Sequence, residues 1–512
     1  MIRNFLSVGG FTLLSRLTGF MSLAMQSSIM GAGAISDAFF IAQRLPNSFR
    51  SIFGEGAFNA AFVPSYSMLI EQHGNEAAEE FAGEVFSLLL ASQIILLLII
   101  WALTPQFVSM LAPGLSDRPD KFDLAVNLTR ITFPYLLFMT LFTLYMGALN
   151  ARGKFALPAF APNLMNLSVM AALSVAFLFP NAGYAASWGI TISGVLQLGL
   201  LVPGAYQMGI LRRLRKPHWP RVREFFMRLG PAVIGSASPQ IAVFADTILS
   251  SLLPDGGVSA ISYAERLYQL PVGVIGIAAG TVLLPEMSRR LATGDVAGAH
   301  HAQSRTMALT IALTAPFFIA FVTLPELIVA GLFMHGKFTA NDAYAAGDVL
   351  SAYGGGLLAL VLIASARASF QARGDTSTPM KVALIALAVN VVMKVVLFFP
   401  LGAVGIATAT SIGLWINFGA LIALAIKRDE INFDQLFAKT ACATIVACGP
   451  LAFIALNLRA PIIAISTKFG AFSNITALII VGVIGALIYA IVFLSALHLQ
   501  GVDLRSLVSR RR

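Results

Sequence analysis

Arg16, Asp37, Arg44, Arg50, Glu55, Glu265 and Arg266 all stand inside stretches that are otherwise apolar enough to cross a membrane. An ionisable side chain near the centre of a bilayer costs at least about 2.5–3.5 kcal/mol. A chain keeps several such groups only where they face one another or line a polar cavity. Most of this set is arginine, whose planar guanidinium grips phosphate or carboxylate through paired N–H donors. The pattern implies a membrane carrier for a cargo with anionic groups.

Composition supports the membrane assignment. Hydrophobic residues make up 57% and charged residues 11% of 512 positions, against about 25% charged in soluble domains. Mean hydropathy is +0.81. The expected fold class is an all-α polytopic membrane protein. The net charge of +10 is assigned below to membrane topology, so no nucleic-acid partner is expected. Cys442 and Cys448 form no metal or redox motif, and His300-His301 falls in a polar loop, so no metal site is expected. The N-terminal MIRNFLSVGGFTLLSRL is similar to a signal peptide. Arg16 interrupts it and no small-x-small cleavage site follows, which makes it a retained first helix.

Windows of about 20 apolar residues, the length needed to cross a bilayer, number about fourteen. They fall near 5–30, 36–70, 80–104, 122–149, 156–179, 185–209, 228–252, 258–288, 304–334, 342–370, 378–400, 403–426, 435–458 and 471–498. The windows 36–70 and 258–288 exceed the need, and Pro46, Pro64, Pro271 and Pro285 supply kink points. Lys and Arg concentrate in alternate loops, with Arg152, Lys154, Lys427 and Arg428 on one side together with the basic stretch 211–226. The positive-inside rule then puts that side and both termini in the cytoplasm. The acidic loop 71–80 runs against the trend, although acids weigh little in this rule. The stretch LRRLRKPHWPRVREFF (211–226) reads either as a helix along the inner leaflet or as a plain topogenic linker.

The two halves repeat. Ile41-Ala42-Gln43-Arg44-Leu45 reappears as Tyr263-Ala264-Glu265-Arg266-Leu267. Asn150-Ala151-Arg152-Gly153 reappears as Gln371-Ala372-Arg373-Gly374, and Pro64 and Pro158 reappear as Pro285 and Pro379, at a nearly constant offset. Six helices per copy give two lobes of the same orientation, related by an axis along the membrane normal, with cargo bound between them. The expected organisation is an N-terminal lobe (1–210), a basic linker (211–227), a C-terminal lobe (228–427), and a further helix pair with a basic tail (428–512).

The second window carries most of the chemistry. Asp37 and Arg44 are seven residues apart, on one helical face, with Asn47 one turn further. Arg16, Asp37, Arg44, Asn47, Arg50, Glu265 and Arg266 are therefore the candidate substrate-binding residues. Glu55 is a supporting residue that either pairs with Arg50 or caps a kink. Asp246 and Lys394 share a depth. They form either a buried pair or, with Asn390, a site for a coupling cation. No Walker loop or Ser/His/Asp arrangement is present, so neither an enzyme nor a bound cofactor is expected. The expected driving force is the membrane potential, an ion gradient such as that of a monovalent cation, or the cargo's own gradient.

The stretch GAGAISDAFFIAQRLPNSFRSIFGEGAFNAAFVP (31–64) closely resembles the signature of the MurJ (MviN)-type lipid II flippases. These belong to the multidrug/oligosaccharidyl-lipid/polysaccharide exporter superfamily. SRLTGF (15–20), ALNARGKFALPAFAPNLMN (148–166), SYAERL (262–267) and HGKFTANDA (335–343) are similar as well. The resemblance implies fourteen helices, with the last two lining a groove for a polyprenyl tail. It implies as cargo undecaprenyl-diphosphate carrying the disaccharide-pentapeptide of peptidoglycan, flipped across the bacterial cytoplasmic membrane. Cell-wall synthesis machinery is the further partner it suggests. The family's cavity arginines map onto Arg16, Arg44, Arg50 and Arg266, and its acid onto Asp37. Two positions depart from the family pattern, Ser22 in place of arginine and Gln269 in place of glutamate.

Three rival functions remain open to the sequence. A multidrug/cation antiporter of the same superfamily would need an acidic cavity, against the basic set here. A flippase for another polyprenyl-diphosphate glycan shares the diphosphate and is separated only by the signature at 31–64. A membrane-embedded glycosyltransferase or scaffold would lack a reason for the repeat.

Overall fold

The computed structural model describes residues 2–52, 58–207, 209, 215 and 218–502. Among them there are α-helices and short helical turns but no strand. In chain order the helices are α1 (Ile2–Met30), α2 (Ala34–Phe49), α3 (Phe58–Ala102), α4 (Thr104–Leu111), α5 (Pro119–Thr132), α6 (Pro134–Ala151), α7 (Ala156–Phe160), α8 (Pro162–Ser174), α9 (Ala182–Gln207) and α10 (Trp219–Ser251). They continue with α11 (Gly257–Pro271), α12 (Ile277–Ala292), α13 (Val296–Thr323), α14 (Pro325–Phe333), α15 (Ala340–Gly354), α16 (Leu357–Gln371), α17 (Ser377–Lys427), α18 (Gln435–Ser466) and α19 (Ser473–Leu499).

Ten helical stretches among the described residues are long and apolar enough to cross a membrane. Of the fourteen windows, 5–30 and 228–252 have no stretch among the ten, and two more are lost where the chain breaks or turns back. The windows 378–400 and 403–426 are the two limbs of α17, which is broken at Gly402 (φ 56, ψ −126). Asn390 Nδ2 donates to Ala409 O at 3.3 Å, whereas nineteen residues of straight helix would span about 28 Å. The two limbs therefore lie side by side. The long second window is likewise divided. Its first part is α2, only 16 residues long, and its second part opens α3. Helix α3 turns back at Gly74 (φ 82, ψ 178), which brings Phe62 and Phe81 to 5.7 Å between ring centroids.

The chain separates into two compact units, one of residues 1–259 with 336–338 and the other of residues 260–335 with 339–512. The first boundary lies beyond α10, not before it as the repeat suggests. Phe225 of α10 packs against Phe58, Phe62 and Phe81 of α3, and α10 begins at Trp219, inside the stretch expected as linker.

In the first unit the acidic loop finds its reason. Arg152 Nη2 reaches Glu79 at 3.2 Å and Tyr66 Oη at 2.9 Å, and Arg215 reaches Glu80 at 2.9 Å. Glu79 and Glu80, two of the acids that run against the topology trend, thus pair with basic residues.

The repeat is visible as local geometry. Both copies of the Asn/Gln-Ala-Arg-Gly motif stop a helix with a left-handed glycine, Gly153 (φ 73) and Gly374 (φ 81). In each, the next residue donates back to the last turn, Lys154 N to Leu149 O at 2.9 Å and Asp375 N to Phe370 O at 3.0 Å. That bond satisfies a terminal carbonyl that would otherwise be orphaned. In the second unit α18 and α19 pack on each other and on α13 and α14. Asp434 caps α18 by accepting from Phe437 N at 2.9 Å and also contacts His301 of α13 at 2.6 Å.

The hairpin in α17 depends on two glycines. A Cβ at Gly405 would stand 2.1 Å from Leu397 O, and Gly402 occupies backbone space open essentially to glycine, at about 1–3 kcal/mol for other residues. Gly402→Ala and Gly405→Ala should therefore lower the thermal midpoint of the purified protein. Gly419→Ala, whose methyl meets nothing within 4 Å, should not lower it.

Candidate substrate-binding site

Helix α2 is buried along most of its circumference, with Ala38, Phe39, Ile41, Ala42 and Leu45 each at most 5% exposed. The half-exposed remainder includes Arg44, Asn47 and Arg50. At 100° per residue these three fall within about 120° of the helix. Next to this row, Gln240 Nε2 of α10 donates to Ser51 Oγ at 3.2 Å. The result is a cationic and amide-bearing stripe on a helix held in place by its apolar faces. Such a stripe can grip phosphate oxygens bidentately.

Arg16 is half-buried in the middle of α1. Its helix is clamped to α8 by Asn166 Nδ2, which donates to Ser15 O at 3.1 Å and to Thr18 Oγ1 at 3.0 Å. Thr18 also contacts Asn163 Oδ1 at 3.3 Å. With Ser15 and Thr18 facing α8, Arg16 projects about 100° further round the helix from Ser15.

Asp37 shares the Arg44 face by spacing but not by environment. It is fully buried. Its Oδ2 accepts from Lys121 Nζ at 2.7 Å and Gly256 N at 2.9 Å, and its Oδ1 accepts from Ser259 N at 2.8 Å and from Ser259 Oγ. Four donors use the acceptor capacity of a carboxylate. Lys121, 5% exposed, also reaches Asp255 at 2.7 Å, and Arg118 reaches Asp255 at 3.1 Å. In this structure Asp37 belongs to a closed ion-pair cluster and not to the open binding face expected for it. Lys121 was legible only as a loop charge. Its pairing with Asp37, 84 residues away, has no local sequence signal.

In the second unit Arg266 is exposed on α11 and Glu265 is half-buried, accepting from Gln269 Nε2 at 3.0 Å. The departure Gln269 thus engages the neighbouring acid as an amide donor. The other departure, Ser22, is buried and accepts from Gln26 Nε2 at 3.2 Å. Asn390 and Lys394 are buried on the first limb of α17. Asp246 is half-buried on α10, in the other unit. Glu55 lies outside the described residues. No group of three metal-binding side chains occurs among the described residues.

The second unit also holds an apolar cavity of about 360 Å³. It is bounded by Leu267 and Pro271 of α11, Pro316 and Phe317 of α13, Leu451 of α18 and Gly482 of α19, with further residues of α14. No charged side chain lines it. Such a wall suits a hydrocarbon chain and nothing polar.

Two outcomes test the Asp37 cluster. Lys121→Met leaves a buried carboxylate without its cation and should destabilise the protein by about 3–5 kcal/mol, with Asp37→Asn restoring much of the loss when the two are combined. Separately, the hydrogen bond from Lys121 and the nearby Arg118 hold the Asp255 carboxyl below the usual carboxylate range. Its contribution is complete above the unfolded value of about 3.9 and is lost as pH falls through the lower folded value. The midpoint of Asp255→Asn should accordingly change less than that of wild type on acidification below about pH 4.

The sequence profile of the family described as Lipid II flippase MurJ matches residues 26–499. A probable lipid II flippase MurJ of Rhizobium meliloti (strain 1021) is 37% identical, over 98% of this chain and 95% of that protein. One of Rhizobium tropici is 35% identical over the same shares. The lipid II flippase MurJ of Burkholderia cenocepacia is 32% identical over 89% of this chain and 90% of its own. Among solved structures, a lipid II flippase MurJ in an inward closed conformation superposes with a TM-score of 0.80 at 22% identity, covering 95% of this chain and 97% of the other. An inward-facing multidrug resistance MATE family transporter of the MOP superfamily gives 0.67 at 17% identity, covering 81% and 98%. With a profile match over most of its length and relatives above 30% identity along nearly all of it, the chain belongs to the lipid II flippase MurJ family.

Proposed function

We propose that this protein flips lipid II, undecaprenyl-diphosphate carrying the disaccharide-pentapeptide of peptidoglycan, from the inner to the outer leaflet of the bacterial cytoplasmic membrane by alternating access. The observation that carries the reading is the half-exposed row Arg44, Asn47 and Arg50 on a helix that is otherwise buried. A diphosphate leaves water only if cationic donors replace its hydration. Arg16 adds a guanidinium in the same unit, and Arg266 carries one at the repeat-related position of the second unit. The apolar cavity lined by α11, α13, α14, α18 and α19 supports the second half of the reading. The polyprenyl tail stays in an apolar setting there while the head group moves.

No ATP site is encoded, so the driving force is the membrane potential or an ion gradient. One charge moved through 100 mV is worth about 2.3 kcal/mol. The termini face the cytoplasm in this reading, on the strength of the loop lysines and arginines. A multidrug antiporter for cationic drugs fits poorly, because its cargo would meet arginines.

The test is outer-leaflet lipid II in cells depleted of their own flippase and supplied with this chain. Wild type should restore it, while Arg44→Ala and Arg266→Ala should abolish transport and remain inserted in the membrane. Normal flipping by both variants would refute the cationic site. Failure of the wild type, correctly inserted, would shift the assignment to another polyprenyl-diphosphate glycan.

A further inference from the structure

Proline at position 316 has no N–H, so the carbonyl of Ala312, four residues earlier in α13, loses its helical donor. In a membrane-spanning helix that carbonyl has no water to turn to. The structure supplies a replacement from another helix. Tyr489 Oη of α19 donates to Ala312 O at 2.7 Å. The Tyr489 ring is 7% exposed. It packs with Leu451 and Ile319 and stacks on Phe493 at 5.8 Å.

The bond has a place relative to the apolar cavity. Pro316, Ile319 and Ala320 of α13, Leu451 of α18, and Gly482, Gly485 and Ala486 of α19 all line the cavity. Ala312 lies one turn from Pro316, and Tyr489 lies one turn from Gly485. The clamp therefore sits one turn beyond the cavity-lining residues of both α13 and α19. We propose that Tyr489 is a positioning residue, whose hydroxyl holds the Pro316 kink of α13 against α19 and so fixes the width of the cavity that receives the polyprenyl tail. The proposal rests on the tail reading given above.

The experiment compares binding of undecaprenyl diphosphate and farnesyl diphosphate to the purified full-length protein in lipid nanodiscs, with thermal unfolding in parallel. Wild type should prefer the long chain. Gly482→Phe serves as the control on the cavity itself, because a Cβ at Gly482 meets nothing within 4 Å and the ring enters open cavity space. It should remove the preference. Tyr489→Phe keeps the ring and loses only the hydroxyl. It should cut the preference severalfold and lower the thermal midpoint by several degrees. In a Pro316→Ala background residue 316 regains its N–H and Ala312 its helical donor, so adding Tyr489→Phe there should change neither readout. If Gly482→Phe removes the preference but Tyr489→Phe keeps it, the clamp is overturned and the tail reading stands. Equal losses from Tyr489→Phe with Pro316 and with Ala at that position overturn the clamp as well. A long-chain preference that survives Gly482→Phe overturns the tail reading and the proposal with it.

Discussion

Hydrocarbon provides no partner for a charge, and this constraint organises the first unit in two opposite ways. At Asp37 the chain closes its own account. Two carboxylates, Asp37 and Asp255, meet two cations, Lys121 and Arg118, with backbone N–H groups of Gly256 and Ser259 completing the set. Along Arg44, Asn47 and Arg50 the same helix leaves polar side chains half-exposed. One end of α2 is thus fixed by ion pairs that are nearly neutral as a group, while the next two turns carry the half-exposed Arg44 and Arg50. A closed cluster of this kind costs desolvation and gains specificity of arrangement more than stability. Its use here is to anchor the helix that presents the arginines.

The helices were legible because their signal is local. The apolar windows fall on helical stretches, some on one limb of a broken helix and others across two successive helices, because length and hydropathy mark an apolar stretch without marking its breaks. The repeat was legible for the same reason. Its Arg-Gly motif is a helix stop, and both copies close with the same backbone bond. The folds at Gly74 and Gly402 were harder to read, because a glycine in an apolar run looks like helix interior until its φ is known. The partners of Asp37 were not legible at all. Spacing along α2 puts Asp37 on the Arg44 side, but residues 121, 255, 256 and 259 reach it through tertiary packing. The acidic loop 71–80 is an intermediate case. Its charges conflicted with the topology trend in sequence, and only the contacts to Arg152 and Arg215 show what they neutralise.

The backbone is held to the same rule as the side chains. A straight apolar helix satisfies every carbonyl by itself and needs nothing from its neighbours. Pro271 and Pro316 both border the apolar cavity, and a π-turn at Val272–Gly276 follows the first. Each proline removes a backbone donor from a cavity wall, a change that favours a bend. At Pro316 the freed carbonyl is recovered by Tyr489 from a different helix, so the bend and the C-terminal pair are tied by one bond. Irregular backbone at membrane depth survives only where protein covers it or a cavity needs it. Here both conditions meet at one turn of α13, so the helix pair that follows the repeat is part of the cavity wall and not an appendage to it.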